Sequence, residues 1–270
     1  ARFKQEAETV AALRSRHTVR VSDYGVADEG LPYIVMEYVD GLSVGEILSR
    51  EGRYSDAEVL EISLHVLRAI DEAHRNGVVH RDLKPDNVLV VRDPDDGGIV
   101  ARVLDFGLAK LVDPRHARVR AHATATGMVL CTARYASPDL LRGAPSPQSD
   151  IYAWGLSMIE MLDGVPPYGG EDFYTVAARQ IEEAPVPLGS KAAASPLAPV
   201  IRRAVEKDRA KRYASAAEML ADLERAVGDL GVVDAVAMRR SASVSLQRRF
   251  DAATVGAARR GDEAAAVETG

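Results

Sequence analysis

The sequence predicts an α+β fold in which a small strand-containing part precedes a larger, mainly helical part. Two runs rich in β-branched and aromatic residues, Thr18–Tyr24 and Tyr33–Val39, flank the turn-forming stretch ADEGLP. After residue 40, apolar residues recur at the three- and four-residue spacing of amphipathic helices. The 270 residues are enough for one large domain or two small ones.

The helical segments follow from this spacing and from capping residues. A first helix is predicted around Phe3 and Val10, which lie seven residues apart on one face. A long helix is predicted over Asp56–Asn76, because Ser55 can cap its start and Glu58 follows three residues later. Further helical patterns occupy Val44–Leu48, Ser149–Leu162, Phe173–Glu183, Pro199–Lys207 and Ser215–Val227.

Between the helices, one hairpin and one long loop are predicted. Val88–Arg92 and Ile99–Leu104 flank the acidic turn DPDDGG and predict a short β-hairpin. Residues 107–148 carry scattered Gly, Ser, Pro and Thr without a regular period. A loop of this length in a compact domain is usually functional or disordered.

Composition excludes several classes of protein. The net charge of −6 and the sequence pI near 5.6 argue against non-specific nucleic-acid binding as the main role. The single cysteine, Cys131, cannot form an intramolecular disulfide, which favours an intracellular protein. No apolar run reaches the roughly 18 residues that a membrane helix needs. The lone histidines, His74 among them, show no metal-ligand spacing.

The most informative motif is HRDLKPDN at residues 80–87, followed beyond the predicted hairpin by DFG at 105–107. Either motif alone can occur by chance as surface charges or a helix cap, but the two in this order are specific. Together with PYIVMEYVDG, DFGLAK and SDIYAWG, they resemble the eukaryotic-like (Hanks-type) protein kinases, and the bacterial serine/threonine kinases in particular.

The resemblance covers roughly residues 1–228 and implies a two-lobe fold with an incomplete small β lobe. Residues 1–40 correspond to a partial small lobe with helix C, the last strands and the hinge. Residues 41–228 correspond to the large lobe. Residues 229–270 are Ala- and Arg-rich and are predicted to be a linker or tail.

The resemblance also implies ATP and Mg²⁺ as cofactors and assigns the catalytic residues. Asp82 would accept the proton of the substrate hydroxyl, and Lys84 would neutralise the γ-phosphate of ATP. Asn87 and Asp105 would supply the oxygen ligands that Mg²⁺ prefers. These residue types fit phosphoryl transfer, in which catalysis consists mostly of positioning and charge neutralisation.

A nucleotide site is implied at the end of the second strand. By resemblance, the backbones of Glu37 and Val39 would hydrogen-bond adenine, and Leu89 would pack beneath it. The alternative for Glu37 and Val39 is that they simply end a buried strand, and the alternative for Leu89 is ordinary core packing.

Structural roles are implied for residues further along the chain. Asp150 would hold the backbone of the catalytic loop, or would simply favour the start of a helix. Asp139 would pair with Arg212, although the family usually carries Glu at the position of Asp139. Thr132 lies on the substrate side and would favour serine and threonine as acceptors.

Five residues are implied in regulation. Glu6 matches the helix-C glutamate, and Phe106 is the aromatic residue of the DFG motif. Thr124 and Thr126 align with activation-loop threonines, whose phosphates would bind Arg81 and order the loop. The alternative is that both threonines are solvated loop residues.

A Gly-rich loop and a strand lysine, which the family carries before helix C, are not found in the sequence. Lys4 lies on the same predicted helix as Glu6 and cannot be that lysine. We therefore expect an N-terminal truncation, and expect residues 1–270 alone to be nearly inactive. The alternative is a kinase-like binding or regulatory module, a pseudokinase. A small-molecule phosphotransferase is disfavoured by DFGLAK and SDIYAWG.

Partners and location follow from the same resemblance. We expect protein substrates with Ser or Thr, self-association for autophosphorylation, no nucleic acid and no membrane span. The expected location is the cytoplasm, with the intracellular part of a longer membrane-attached protein as the alternative. The weak periodicity of the tail favours a solvated linker over a lipid or acidic-partner contact through its three arginine pairs, Arg239-Arg240, Arg248-Arg249 and Arg259-Arg260.

Overall fold

A computed structural model describes residues 2–28, 31–93, 98–106, 133–169, 172–228 and 240–254. Its strands are β1 (Val21–Val26), β2 (Pro32–Met36), β3 (Gly41–Ser43), β4 (Val88–Arg92) and β5 (Ile99–Val103). Its described helices are α1 (Arg2–Ala11), α2 (Val44–Glu51), α3 (Asp56–Arg75), α4 (Pro138–Leu141), α5 (Pro147–Asp163), α6 (Phe173–Ile181), α7 (Ser190–Ala194), α8 (Ala198–Ala204), α9 (Ala216–Gly228) and α10 (residues 240–254).

The small strand-containing part consists of α1 and the antiparallel pair β1–β2. It is joined to β5 by backbone hydrogen bonds. The Val19 N–H donates to the Val103 carbonyl at 3.0 Å, and the Val103 N–H donates to the His17 carbonyl at 2.8 Å. The carboxylate of Glu72 on α3 accepts from the backbone N–H groups of Arg14 and Ser15. The segment after α1 is therefore fixed to the larger part.

A second antiparallel sheet has the order β3-β4-β5 and carries the catalytic loop just before β4. The β4–β5 hairpin was expected, whereas β3 was not, because three residues are too few to show a period. A Cβ at Gly41 would lie 2.6 Å from the Val91 side chain and 2.8 Å from the Val90 carbonyl. Glycine is what allows this close approach of β3 to β4.

The core of the larger part lies between α3 and α5. Trp154 is completely buried, and its indole N–H donates to the Ser63 hydroxyl at 3.1 Å. The predicted cap of α3 is confirmed, since the Ser55 N–H donates to Glu58 Oε2 at 2.7 Å and the Glu58 N–H donates back to Ser55 Oγ. The capping box fixes where α3 begins, and burial against α5 fixes the helix that leads to the catalytic loop.

The sequence prediction that residues 107–148 are irregular is wrong for their described end. The helix α4 forms over Pro138–Leu141, where Ser137 Oγ accepts from the Leu140 N–H at 3.1 Å, and α5 begins at Pro147. A four-residue helix is too short to show apolar periodicity, so its only sequence signal is the Ser-Pro cap.

The prediction of a solvated linker after residue 228 is wrong for residues 240–254. They form α10, which buries one face consisting of Ala242, Leu246, Phe250 and Ala253. These positions are spaced by four, four and three residues, as one helix face requires. Two of these four residues are alanines, so the apolar face is narrow. The difference in hydrophobicity between the buried and exposed faces is therefore too small to be recognised in the sequence.

Candidate active site

Asp150, at the start of α5, holds the backbone of residues 80 and 81. Its Oδ2 accepts from the His80 N–H at 2.8 Å, and its Oδ1 accepts from the Arg81 N–H at 2.9 Å. The Asp150 side chain is only 1% exposed. A buried carboxylate that receives two parallel backbone N–H groups fixes both the position and the direction of the loop.

His80 connects this loop to the residue that precedes Asp105. Its Nε2 lies 2.7 Å from the Leu104 carbonyl, and the Leu104 N–H donates to the Asn87 carbonyl at 2.9 Å. Phe106 is buried with its ring centroid 5.0 Å from that of His80. The two motifs of the sequence therefore lie against each other through packed and hydrogen-bonded residues.

Three of the predicted catalytic side chains form one cluster. Lys84 Nζ lies 3.4 Å from Asp82 Oδ2. Asn87 Nδ2 donates to the Asp82 backbone carbonyl at 2.7 Å and is 3.3 Å from Asp82 Oδ2. Each of the three residues remains partly exposed. The arrangement presents an anion with a neighbouring cation to an approaching ligand.

Two residues of the site have left-handed backbone conformations, Arg81 with φ 66° and Asp105 with φ 52°. Such conformations are costly for residues other than glycine and persist where the surroundings enforce them. The backbone conformation of Arg81 is held by the hydrogen bond from its N–H to Asp150. Asp105, whose side chain is exposed, follows Leu104, whose N–H and carbonyl are both hydrogen-bonded.

Asp139 and Arg212 form the ion pair that the resemblance implied. Arg212 NH1 lies 2.7 Å from Asp139 Oδ1, and the Arg212 side chain is 0% exposed. The Arg212 guanidinium also donates to the carbonyls of Glu206, Gln148 and Lys207. Burial alone would raise the pKa of Asp139, but the hydrogen bond from Ser149 and the charge of Arg212 outweigh burial and lower it.

Glu37 and Val39, which the resemblance assigns to the hinge, follow the end of β2. The Glu37 N–H donates to the Arg20 carbonyl at 3.0 Å, and its carboxylate accepts from the Arg20 N–H and lies 3.1 Å from Arg102 NH1. Val39 is partly buried, and Leu89 is a partly buried residue of β4 opposite Arg102 of β5. Glu37 is thus fixed by both its side chain and its backbone N–H.

The remaining predicted residues are either on α1 or outside the described part. Glu6 lies on α1, partly buried, one turn before the buried Val10. Thr124, Thr126 and Thr132 lie outside the described residues.

Two contacts of the site were missed in the sequence. The ring Nε2 of His74 lies 2.7 Å from Asp150 Oδ2, so Asp150 is shared between α3 and the catalytic loop. Ser149 Oγ donates to Asp139 Oδ2. His74 has no metal-ligand spacing, and the only sequence signal for its role is its place near the end of the predicted helix, six residues before His80.

A cleft of about 900 Å³ lies beside the hinge and is separate from this cluster. Its walls include Glu37, Asp40 and Arg102 on one side and Phe250 and Asp251 of α10 on the other. None of Asp82, Lys84, Asn87 or Asp105 lines it.

A sequence model of the protein kinase domain matches residues 1–222. The chain belongs to the protein kinase domain family. The match includes the catalytic loop, the DFG motif and Arg212. The kinase domain is accordingly the two-part fold described above, with α10 beyond the end of the match.

Two similar curated relatives are bacterial kinases. It is 36% identical over 230 residues to the serine/threonine-protein kinase PknB of Mycobacterium tuberculosis, covering 83% of this chain and 35% of that protein. It is also 36% identical over 234 residues to the probable serine/threonine-protein kinase CPE1738 of Clostridium perfringens, covering 86% and 32%. The chain thus spans about a third of the length of these curated relatives.

The solved structure of the Mycobacterium tuberculosis PknI kinase domain is similar in fold. It has a TM-score of 0.63 and 28% sequence identity, covering 83% of this chain and 78% of that one. In the described part of this kinase domain, no helix has both the length and the apolar character required to cross a bilayer.

Proposed function

We propose that the chain is the catalytic part of a serine/threonine protein kinase that transfers the γ-phosphate of ATP to hydroxyl groups of protein substrates. The observation that carries the proposal is the cluster of Asp82, Lys84 and Asn87 on a loop fixed by Asp150. The relatives PknB and CPE1738 support the proposal, because they are named as a serine/threonine-protein kinase and a probable serine/threonine-protein kinase.

Each side chain of the cluster has a role in this proposal. The Asp82 carboxylate accepts the proton of the substrate hydroxyl and orients its oxygen for in-line attack on the γ-phosphorus. The new O–P bond forms as the bond to the bridging oxygen breaks, and ADP leaves. Lys84, close to Asp82, offsets the charge of the transferred group.

Asn87 and Asp105 are the residues that would hold Mg²⁺. The Asn87 amide directs Nδ2 at Asp82, which leaves Oδ1 as its ligand atom, and the Asp105 carboxylate is exposed. Two oxygen ligands fit Mg²⁺, which keeps several waters and completes its shell with phosphate oxygens. The ion would neutralise charge on the phosphates.

Glu37, Val39 and Leu89 are proposed to receive adenine, and Thr132 to favour Ser and Thr acceptors. A phosphate on Thr124 or Thr126 is proposed to bind Arg81. The Arg81 guanidinium supports this step, because its Nε is buried with no hydrogen-bond partner among the described residues. Autophosphorylation between two copies would supply the phosphate, and the proposed location is the cytoplasm.

The test is transfer of labelled phosphate from ATP to a Ser/Thr protein substrate, by the protein as its gene encodes it and by residues 1–270. The gene-encoded protein is expected to be active, whereas residues 1–270 on their own, which carry no Gly-rich loop and no strand lysine, are expected to be nearly inactive. Asp82→Asn should abolish transfer, whereas Asp71→Asn, on α3 and paired with Arg75, should not. An inactive gene-encoded protein that still folds would favour the pseudokinase alternative.

A further inference from the structure

The tail helix α10 packs on the corner between α2 and α3, which we define as residues 50–58. Of its buried face, Ala242, Leu246 and Ala253 are each 1% exposed and Phe250 is 8% exposed. The sequence match to the kinase domain ends at residue 222. This contact is therefore a feature of the chain beyond its matched domain.

The centre of the contact is the carboxylate of Glu58, which is 1% exposed. Its Oε2 accepts from the Ser55 N–H at 2.7 Å and the Ser55 hydroxyl at 2.8 Å. Its Oε1 accepts from the Ser245 hydroxyl and from Arg249 Nε, both at 2.8 Å. Burial of a carboxylate costs free energy unless the group is paired. Two of the four hydrogen bonds that Glu58 accepts here come from α10.

The rest of the Arg249 side chain binds the end of α2. Its NH1 donates to the Gly52 carbonyl at 3.1 Å, its NH2 donates to the Arg53 carbonyl, and its guanidinium lies 5.0 Å from the centroid of the Tyr54 ring. Carbonyls that follow a helix C-terminus carry partial negative charge and favour a cation. In return, Arg50 NH1 donates to the Ala253 carbonyl near the end of α10 at 3.0 Å.

We propose that the α2–α3 corner is a docking site for an amphipathic helix, that residues 240–254 of the same chain are its occupant, and that Glu58 selects this occupant. The selection requires a hydroxyl and a guanidinium four residues apart, because both must reach one carboxylate oxygen from the same helix face. The docked helix also forms one wall of the cleft beside the hinge, through Phe250, Asp251 and Thr254.

The test compares two adjacent arginines of the full chain. Arg249→Gln removes the charge at Glu58, whereas Arg248→Gln alters an exposed side chain of the same helix. Hydrogen exchange of residues 240–254 and chymotryptic cleavage after Phe250 are measured. In Arg249→Gln, exchange and cleavage are expected to rise at least tenfold, and in Arg248→Gln they should match the wild-type chain.

Equal behaviour of the two variants would overturn the proposal. Protection of α5 amides shows whether the large part stays folded. If Arg249→Gln unfolds it, the double variant Glu58→Gln/Arg249→Gln decides, because it removes the unpaired buried charge as well. Restored protection of 240–254 in the double variant supports the proposal, and unrestored protection overturns it. No activity measurement enters, so the result is independent of the proposed kinase reaction.

Discussion

The carboxylate of Asp139 contacts the guanidinium of Arg212 at 2.7 Å, and the arginine side chain is completely enclosed. Arg212 also stacks its guanidinium 4.8 Å from the centroid of the Tyr152 ring in α5. The pair therefore attaches the start of α4 to the helical core. The aspartate, shorter than the glutamate usual in the family, reaches its partner without a gap.

Asp139→Asn should destabilise the chain by about 3 kcal/mol, because removing one partner leaves a buried guanidinium without its counter-charge. The free energy of unfolding in urea at pH 7 measures this loss. Asp139→Glu keeps the charge and should cost clearly less. Equal losses in the two variants would show that side-chain shape, not charge, matters at this position.

In the gene-encoded protein, Asp150→Asn should reduce phosphotransfer by about 100-fold, since misplacing a catalytic group by 1 Å has effects of that order. The amide keeps one acceptor oxygen for two backbone N–H groups and loses the charge facing His74. The fall is expected in kcat with little change in KM for ATP. The reverse pattern, a raised KM at constant kcat, would contradict a positioning role for Asp150.

His17 should make stability depend on pH in the mildly acidic range. Burial, and next the charge of His65 stacked at 4.4 Å, lower the pKa of His17 from 6.5 to about 4. Below pH 6.5, His17 is therefore protonated in the unfolded chain but stays largely neutral in the folded chain. The free energy of unfolding falls as the pH drops from 6.5 towards 4. By pH 5 the loss should be roughly 1–2 kcal/mol.

His17→Asn is the matching variant, because its amide can still donate to the Ala101 carbonyl that now lies 3.2 Å from His17 Nδ1. Urea unfolding at pH 7 and pH 5 should show a smaller difference in the variant than in the wild-type chain. An unchanged difference would assign the pH dependence to other groups.

Ser245→Asp should release α10, because it places a second carboxylate against the buried Glu58. Ser241→Asp adds the same charge at an exposed position of the same helix and should leave α10 docked. Hydrogen exchange of residues 240–254 distinguishes the two variants. If both variants release α10 equally, net charge rather than the Glu58 contact governs docking.

The sequence was sufficient where a residue's role is encoded locally. Ser55 and Glu58, three residues apart, mark the start of α3. The HRDLKPDN motif directly precedes β4 and the DFG motif closely follows β5, so the predicted hairpin between them already placed both motifs. The Asp139–Arg212 and Asp150–loop contacts are long-range, yet they were predictable because the resemblance carries the spacing between motifs.

Contacts without a clear local sequence pattern were missed. The face of α10 has two alanines, so its periodicity is weak, and its stability depends on Glu58, almost 190 residues earlier in the chain. For His74, the sequence offers only a position near the end of a predicted helix. Its partner, Asp150, is 76 residues away and is identified only when α3 and α5 are packed.

The helix α3 has a different attachment at each end. Glu58 in its first turn binds α10, and His74 in its last turn contacts the carboxylate that fixes the catalytic loop. Twenty helical residues correspond to a rod about 30 Å long. The contact with the tail helix and the contact with the carboxylate that fixes the Asp82 loop therefore lie at opposite ends of a single helix.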